Sequence, residues 1–377
     1  MNNKKAKKVL IVGGGIGGLS AAIALRRKGI EVDLVELQPE WNVYGVGIVQ
    51  QGNVVRAMAE LGIADQCLAQ GFSFDSVKLC DSAGKQAIVI PGARLAGEEF
   101  PVNVALPRID LHNILLGEAT RVGVTIQLGL TVDRIDQPAD QVTVQLSDGQ
   151  QSSYDLLIGA DGIYSKVRSL VFGEDLRPSF SGQGGWRFNL PRFPEIDCLT
   201  MYRGKNGGQA GFCPLKDNLM YLLQTTEEPG NPWMAKDQLH LLFRERLAEF
   251  EGPVAKARDE YLTDPSQVIY KPFESIFMDQ PWFDGRVVLI GDSAHATTPH
   301  LGQGAGMAIE DGVVLAEELA ERDVDGALHA FMERRFERCK FVVESSLQIG
   351  KWEMERNTTA DYHGLTKKMI EITSQPI

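Results

Sequence analysis

The 377-residue chain has little positive charge and no long apolar run. Lys and Arg number 38 against 50 Asp and Glu, a formal net charge of −12. A nucleic-acid surface needs a basic stripe, and the one basic run, 4–8, is typical of a solvated tail. No segment approaches the roughly 20 apolar residues of a membrane span, and no signal-peptide pattern precedes the first strand. We therefore expect a cytoplasmic protein that binds neither nucleic acid nor membrane.

Cysteine is also scarce. The five cysteines are Cys67, Cys80, Cys198, Cys213 and Cys339. Their number is odd and none forms a CxxC pair, which argues against a disulfide framework and against a metal site. We expect reduced thiols and no bound metal.

A glycine-rich turn follows the first predicted strand, 8–12. Its GxGxxG glycines are Gly13, Gly15 and Gly18. A helical segment, 19–28, comes next, and a second strand, 30–37, contains Glu36. The glycines permit a tight turn and close approach of a pyrophosphate, and an acid at this offset accepts from ribose hydroxyls. Because Glu36 would repel a 2′-phosphate, the pattern predicts bound FAD or NAD rather than NADP.

The segment Gly291–Asp311 carries a second chemical signature. An apolar strand, 287–290, ends on Asp292, and a Pro- and Gly-rich turn then opens a helix near Ala305. A carboxylate at the end of a strand can hold a ligand hydroxyl, and free N–H groups at a helix start stabilise negative charge. A flavin, with its ribityl hydroxyls and a ring that becomes anionic on reduction, matches both features.

A third signature lies between these two. The apolar strand 155–158 runs into Gly159-Ala160-Asp161-Gly162, followed by Ser165 and Arg168, and Leu106-Pro107-Arg108 precedes a further helix. In this fixed order the motifs resemble those of the single-component (group A) FAD-dependent aromatic hydroxylases, the p-hydroxybenzoate and salicylate hydroxylase family. The resemblance spans roughly residues 8–340.

The resemblance implies how FAD is held. Arg108 and Asp292 would contact the pyrophosphate and ribityl regions, and the amides of 304–306 would face the flavin pyrimidine edge. Asp161 would lie between the pyrophosphate and the approaching nicotinamide. His295 lies in the Gly291–Asp311 segment, and we expect it to pack under that turn rather than to act in catalysis. The predicted cofactor-binding residues are Gly13, Gly15, Ile16, Gly17, Gly18, Glu36, Leu37, Gly47, Arg108, Val132, Asp161, Gly162, Asp292, Gly302, Gly304, Ala305 and Gly306.

The resemblance and the sequence pattern together predict an α/β fold of the p-hydroxybenzoate hydroxylase type. In it, a Rossmann-type FAD-binding domain carries an inserted antiparallel β-sheet substrate domain and C-terminal helices. The predicted boundaries are 1–72, 106–176 and 283–325 for the FAD domain, 73–105 and 177–282 for the sheet domain, and 326–377 for the helical region. Short alternating runs predict sheet strands at 184–190, 199–203, 209–213, 219–225 and 267–277.

Substrate-side candidates follow from strand alternation and position. Gln209 and Cys213 share one face of a strand. The predicted substrate contacts are Gln209, Cys213, Trp186, Phe212 and Tyr202, and the predicted catalytic residues are His300, Tyr221, Tyr44 and Pro299. Among them His300 is the leading candidate for a base. Arg187 and Arg203 remain open as groups that could hold a substrate carboxylate.

The chain carries no second GxGxxG after a strand, so NADH or NADPH is expected to bind transiently in a shared groove. The resemblance implies that NAD(P)H reduces the flavin and that O₂ adds at C4a. The resulting hydroperoxide would hydroxylate a small phenolic or heteroaromatic substrate. Alternatives are an epoxidase or antibiotic-modifying monooxygenase acting on an olefin or polycycle, a non-catalytic flavin-binding protein, and an NAD-dependent dehydrogenase. Either a monomer or a homodimer fits the sequence.

Overall fold

The computed structural model describes residues 5–43, 45–138, 140–357 and 359–377. The strands are β1 (Lys8–Val12), β2 (Glu31–Glu36), β3 (Gly47–Gln51), β4 (Phe72–Phe74), β5 (Ser76–Cys80), β6 (Gln86–Pro91), β7 (Asn103–Pro107), β8 (Thr125–Leu128), β9 (Val132–Asp136), β10 (Val142–Leu146), β11 (Gln151–Tyr154), β12 (Leu156–Gly159), β13 (Ser179–Pro191), β14 (Leu199–Arg203), β15 (Gln209–Pro214), β16 (Leu219–Glu227), β17 (Ile269–Ser275), β18 (Phe283–Asp284) and β19 (Val287–Leu289). The helices are α1 (Ile16–Arg27), α2 (Gly52–Glu60), α3 (Ala64–Gln70), α4 (Arg108–Arg121), α5 (Lys166–Phe172), α6 (Leu239–Arg246), α7 (Gly252–Lys256), α8 (Asp292–His295), α9 (Gly304–Glu321), α10 (Val324–Met354) and α11 (Tyr362–Ser374). Within these ranges, no helix combines the length and apolarity needed to cross a membrane.

A six-stranded sheet forms the first layer, in the order β18-β19-β12-β1-β2-β8. All neighbouring pairs are parallel except β18 with β19. The inner strands are buried apolar runs, as expected when helices cover both faces of a parallel sheet. Because β1, β12 and β19 are adjacent and parallel, the loops that follow them meet at one edge of the sheet.

Helices α1 and α9 cross at very close range. A Cβ added at Gly312 of α9 would lie 2.6 Å from the backbone nitrogen of Ala21, and one added at Gly17 would lie 3.2 Å from the Ala308 side chain. Glycine at these positions therefore allows the two backbones to approach. The contact brings the N-terminal ends of both helices to the same edge of the parallel sheet.

A seven-stranded sheet forms the second layer, in the order β17-β13-β16-β15-β14-β5-β6. One face packs on α6 and α7 through a separate hydrophobic core, and the other face turns toward the parallel sheet. The inserted sheet was predicted to be antiparallel, but β5 pairs with β14 in parallel. This occurs because β5 arrives from the N-terminal part of the chain rather than through a hairpin.

Together the two layers confirm the predicted α/β fold with an inserted sheet and C-terminal helices. Two smaller three-stranded sheets, β11-β10-β9 and β3-β7-β4, complete the strand inventory of the described residues. In the second of these, β7 pairs with both β3 and β4 rather than with the seven-stranded sheet. The predicted C-terminal helical region, 326–377, contains most of α10 and the whole of α11.

Candidate active site

A large cavity of about 1010 Å³ lies between the two layers. Its first side consists of the loops after β1, β12 and β19 and the first turns of α1 and α9, which we call the strand-end wall. The cavity-facing side chains of the seven-stranded sheet form the opposite side, the sheet wall. The predicted site residues that line the cavity are Gly15, Ile16, Gly17, Glu36, Gly47, Arg108, Gly162, Gln209, Tyr221, Asp292, Pro299, His300, Gly302, Gly304 and Ala305.

The glycine turn after β1 closes as tightly as its sequence predicts. Gly13 has φ +109°, and a Cβ at Gly18 would lie 1.9 Å from the Gly13 carbonyl oxygen. Glu36 accepts hydrogen bonds from the N–H groups of Gly14 at 2.8 Å and Gln38 at 2.9 Å. A Cβ at Gly15 would meet no atom within 4 Å, so the backbone there is open to a ligand.

Trp41 and His112 also border this turn, and the sequence motifs did not single them out. The Trp41 ring atoms would lie 2.7 Å from a Cβ at Gly14, and its ring centroid is 4.9 Å from that of His112. Burial lowers the pKa of His112, which favours the neutral ring. Its Nε2 lies 3.1 Å from the Gly14 carbonyl oxygen, so this nitrogen carries the hydrogen and donates it.

The loop after β19 presents Asp292 to the cavity. Gly291 has φ +57°, a left-handed conformation in which glycine is favoured. The Asp292 side chain opens into the cavity, and burial by the surrounding walls raises the pKa of its carboxyl. Beneath the loop, His295 is buried, and its Nε2 lies 2.7 Å from Asp311.

A buried charge network supports this loop and α9. Arg335 of α10 donates to Asp311 and Glu310 at 2.8 Å each. Nε and Nη2 of Arg338 both donate to Glu310. Burial alone would raise the pKa of Asp311, but His295 and Arg335 lower it to about 2. The sequence analysis missed this network, although two adjacent acids inside an apolar helix were a signal for buried ion pairs.

Side-chain amides hold the start of α9. Gln303 donates to Gln51 at 2.7 Å and to Asn53 at 3.1 Å, and Asn53 donates to Gln303 at 3.0 Å and to Glu310 at 2.8 Å. No side chain caps the helix N-terminus. The amides of 304–306 lack intrahelical partners by geometry and therefore remain available at the cavity edge.

The loop after β12 is hydrogen-bonded to the loop after β19. Asp161 accepts from the Val167 N–H at 3.0 Å and from the hydroxyls of Ser165 and Ser293. Arg168 donates to the Ser293 carbonyl at 2.8 Å. These bonds tie the loop after β12 to the loop after β19, so the Asp161 oxygens face protein partners, whereas Gly162 lines the cavity.

Several predicted cofactor residues lie away from the cavity surface. Gly13 and Gly18 shape the turn from within, and Gly306 packs against Val54. Leu37 is 59% exposed at the surface because it follows the end of β2, and Val132 is fully buried in β9. None of these five residues lines the cavity, so the direct ligand contacts predicted for them are corrected to structural or surface positions, except that the backbone N–H of Gly306 belongs to the free first turn of α9.

The predicted aromatic substrate contacts are also corrected. Trp186, Phe212 and Tyr202 belong to the core between the seven-stranded sheet and its own helices. The Trp186 indole donates to Thr226 at 2.8 Å on that side. Strand alternation explains the placement, because Phe212 must face away from its neighbour Cys213.

Tyr221 and Gln209 lie on the sheet wall and line the cavity. A Cβ at Gly47 would lie 2.4 Å from Cε1 of Tyr221, so glycine is required for this approach. Burial raises the pKa of Tyr221 well above its ordinary value, which keeps the phenol protonated. Cys213 packs with Tyr221 and Val46 in a small apolar cluster and does not line the cavity.

Pro299 and His300 begin a short turn at the flavin side of the cavity. Nδ1 of His300 lies 2.9 Å from the Thr298 hydroxyl, and Nε2 lies 3.3 Å from the Glu353 carboxylate. The imidazole is thus held between a hydroxyl that lines the cavity and an acid of α10. Tyr44, the remaining predicted catalytic residue, lies outside the described residues.

Helix α11, within the predicted helical region 326–377, contributes cavity-lining residues that no sequence motif singled out. Its cavity-lining residues are Thr366, Met369, Ile370 and Thr373. Arg56 donates to the carbonyls of Thr373 and Gln375, and Arg338 donates to that of Ile372 at 2.7 Å. The same Arg338 binds Glu310, so α11 is fastened to the network beneath α9.

The strand-end wall fits FAD. Two uncapped helix starts, one at α1 and one at α9, face a single cavity. The first suits a pyrophosphate and the second a flavin ring that carries negative charge when reduced. Glu36, Arg108 and Asp292 line the space between and beside them, with donor or acceptor groups for ribose, phosphate and ribityl hydroxyls. The site therefore defines a dinucleotide flavoprotein.

Known proteins share this arrangement. The FAD binding domain family matches residues 6–348. The chain is 36% identical over 346 residues to the Bacillus subtilis (strain 168) protein named "Putative FAD-dependent monooxygenase YetM", covering 91% of this chain and 93% of that one. It is 32% identical over 353 residues to 3-hydroxybenzoate 6-hydroxylase 1 of Aquipseudomonas alcaligenes, covering 88% and 85% of the two chains. The structure of Klebsiella pneumoniae HpxO complexed with FAD and uric acid superposes with a TM-score of 0.84 at 28% identity, covering 98% of this chain and 93% of that chain.

The chain therefore belongs to the FAD binding domain family, within the single-component (group A) aromatic hydroxylases. It is an FAD-dependent monooxygenase of the aromatic hydroxylase type, and NAD(P)H is the co-substrate typical of this family. This confirms the cofactor and enzyme class that the sequence motifs predicted.

Proposed function

We propose that this enzyme hydroxylates a small phenolic or heteroaromatic ring held between the start of α9 and the sheet wall. The observation that carries the proposal is one continuous cavity running from the glycine turn to Tyr221 and Gln209. Bound FAD supplies the redox chemistry, accepting a hydride from NADH or NADPH and activating O₂. One similar protein is named for 3-hydroxybenzoate, and one similar structure contains uric acid. Both compounds are small rings that carry oxygen atoms.

The chain's own residues divide the remaining work. The amides of 304–306 stabilise negative charge at the flavin edge, and Asp292 and Arg108 orient the cofactor. Tyr221, held protonated, donates a hydrogen bond to a ring oxygen, and Gln209 offers an amide beside it. The buried walls keep bulk water from the reacting atoms.

We further propose that Thr298, His300 and Glu353 form a proton relay. The Thr298 hydroxyl receives the ring proton and passes its own to Nδ1 of His300, 2.9 Å away. The imidazolium that forms faces the Glu353 carboxylate at 3.3 Å, which stabilises its charge. This arrangement orients a base by a third group, as general-base catalysis requires.

Turnover of a screened substrate tests the function. The purified protein should show a flavin visible spectrum, and a phenol or hydroxypyridine should stimulate NADH or NADPH oxidation. Product analysis must then show one added oxygen atom, which separates hydroxylation from release of peroxide. Bound FAD with no stimulation by any ring compound would instead support a non-catalytic flavin protein.

The cellular setting and assembly state belong to the same proposal. We infer a cytoplasmic enzyme, because all five cysteines are free and buried in the structure. We also propose that it is a monomer or a homodimer. Light scattering coupled to size exclusion gives the mass directly, and a larger assembly would contradict this assignment.

A further inference from the structure

The cavity face of the seven-stranded sheet changes in character from one end of the sheet to the other. Its charged side chains, Arg187 and Lys271, lie on β13 and β17. The last three strands at the opposite end, β14, β5 and β6, present apolar side chains instead. Their register places these side chains in two rows, which we call the apolar strip: Leu199, Val77 and Ile90 in the first row, and Met201, Leu79 and Ile88 in the second.

Alternation along the strands places the apolar strip on the cavity side of the sheet. Cys80 and Tyr202, which alternate with strip residues on β5 and β14, are buried in the core beneath α6 and α7. The side chains of the strip therefore point the other way, toward the strand-end wall. The members that line the cavity itself are Leu199, Met201, Val77 and Ile90. The second row continues the same face beyond the cavity edge.

The apolar strip is continuous with the position proposed for the ring. Met201 pairs with Gly211, and Gly211 pairs with Leu223, whose side chain also lines the cavity. A Cβ at Gly211 would lie 2.3 Å from the sulfur of Met201, so this thioether lies over β15 in the space that glycine leaves. Leu223 and Tyr221 share one face of β16. Because neighbouring strands are about 4.8 Å apart, β14 lies about 10 Å from β16, and the strip leads from there to the sheet edge.

The apolar strip is more exposed than a packed core surface. Ile88 and Ile90 are 51% and 45% exposed, and the other four members are half-buried. None of the six side chains carries a charge or a hydrogen-bond donor. A contiguous exposed apolar surface of this kind marks a binding site. Because four of the six residues line the cavity, the occupant that the structure favours is a part of the substrate itself.

Other segments add apolar groups to the same cavity. Met369 and Ile370 of α11 line it, and so does Leu95 in the loop after β6. Leu95 packs beside Gly52 at the start of α2, and α11 is hydrogen-bonded to the same helix through Arg56. The part of the cavity that leads to the apolar strip is thus lined by apolar residues from several elements, as expected for a site that buries a hydrocarbon.

We propose that the apolar strip binds an uncharged apolar substituent of the ring substrate. With the ring beside Tyr221, the substituent crosses β15 next to Met201 and Leu199 and leaves the cavity along Val77 and Ile90. The distance between β16 and β14 calls for an alkyl or alkenyl chain of about five or more carbon atoms. The subsite selects rings that carry such a chain over bare rings. It rests on the proposed function, because it presumes that the ring occupies this cavity.

Binding of a homologous series to the oxidised, FAD-loaded enzyme tests the subsite without any turnover. The probes are phenol and its 4-propyl, 4-pentyl and 4-heptyl derivatives, followed through the perturbation of the flavin absorbance. From the propyl to the heptyl compound, affinity should rise by about 2- to 4-fold for each added CH₂ group. Ile90→Asn should lower heptylphenol affinity by about 5- to 20-fold and change phenol affinity by less than about 2-fold. Ile88→Asn, outside the cavity edge, should lower heptylphenol affinity by a smaller factor.

The matched control is Val89→Asn. Val89 lies on the same edge strand between the two strip residues and is 41% exposed, but its side chain points to the opposite face of the sheet. The three variants share the same loss of β propensity, and Val89→Asn should change neither affinity. The proposal is overturned if Val89→Asn and Ile90→Asn weaken heptylphenol equally, or if Ile90→Asn weakens phenol and heptylphenol by the same factor.

The same proteins separate the substrate from another occupant. If the apolar strip is an interface between two copies of this chain, Ile88→Asn lowers the mass measured by light scattering, and chain length leaves the affinity of the native enzyme unchanged. That outcome refutes the subsite. A native enzyme whose affinity rises with chain length but which hydroxylates no ring compound would support the subsite and contradict the proposed function alone. Hydroxylation of phenol without any gain in affinity from the chain would do the reverse.

Discussion

The two walls of the cavity satisfy their polar groups in different ways. On the strand-end wall, Glu36 and Asp161 accept hydrogen bonds from nearby backbone, and Asp311 lies in a network of buried charges. On the sheet wall, Arg187 and Lys271 face the cavity with no ionic partner in the described chain. The polar groups of the first wall are satisfied within the protein, whereas the second wall carries charges that no described residue neutralises.

This difference follows from what each wall binds. The strand-end wall holds a cofactor through backbone amides and tight turns, so its side chains mainly fix the backbone in place. The sheet wall presents side chains from a rigid platform whose other face is packed independently. Changes on the sheet wall should therefore alter ligand preference with little effect on folding, and changes under the strand-end wall should do the reverse.

The largest expected effect breaks the strand-end wall from beneath. Arg335→Met removes the buried arginine that bridges Asp311 and Glu310, which then retain only His295 and Arg338 as buried partners. We expect a loss of about 3–5 kcal/mol in the free energy of unfolding. Urea unfolding of the FAD-loaded enzyme measures it. The neighbouring Arg334→Met removes half-exposed ion pairs and should cost no more than about 1 kcal/mol. Equal losses in the two variants would show that the buried network contributes no more to the free energy of unfolding than the half-exposed ion pairs do.

The next largest effect concerns the proposed proton relay from Thr298 through His300 to Glu353. His300→Gln interrupts this relay. We expect substrate hydroxylation to slow by about 100-fold, the usual contribution of a general base, with FAD binding retained. The dependence of the rate on pH should also change in this variant. A pH–rate profile identical to that of the native enzyme would rule His300 out as the base.

A smaller effect tests the glycine turn. In Gly18→Ala the new methyl group would meet the Gly13 carbonyl oxygen, and overpacking of this kind costs about 1–3 kcal/mol. FAD affinity should fall about 10- to 100-fold when measured by flavin fluorescence. Gly117→Ala in α4, where a Cβ meets nothing within 4 Å, is the matched control. Normal FAD affinity in Gly18→Ala would mean that the turn has room to shift.

The smallest expected effect concerns the sheet wall. Tyr221→Phe removes one neutral hydroxyl from the cavity, and we expect kcat/KM to fall about 5- to 10-fold. FAD affinity and the unfolding midpoint should stay unchanged, because the phenyl ring still packs with Val46 and Cys213. If FAD binding falls in parallel with kcat/KM, the two walls are not independent.

Much of the strand-end wall was predictable because its signals are local. A strand, a glycine turn and a helix start follow one another within a few residues, so Gly15, Glu36 and Asp292 could be placed from the sequence. The buried pairs of Glu310 and Asp311 with Arg335 and Arg338 join helices about 25 residues apart, and no local pattern specifies such partners. The sequence predicted a helical region at 326–377, but it could not show that α11 lines the cavity, because that contact depends on tertiary packing.

The sheet wall shows what the alternation of side chains along a strand cannot predict. Period-two spacing places the side chains of Gln209 and Phe212 on opposite faces of the sheet. It could not show which of these two faces meets the cavity. Trp186, Phe212 and Tyr202 were assigned to the substrate because aromatic rings suit an aromatic ligand, but they equally suit a packed core. Arg187 stayed an open alternative because a charged residue between two buried aromatics fits either face of a strand.

The sequence by itself determined the cofactor class, the order of the motifs and the glycines at which the backbone must turn or approach closely. These depend on backbone sterics over a few neighbouring residues. Only the tertiary structure decided which face of the inserted sheet meets the cavity, because α6 and α7 cover the other face. That choice brings Arg187, Lys271 and Tyr221 opposite the start of α9, where distant parts of the chain meet around one ring-sized space.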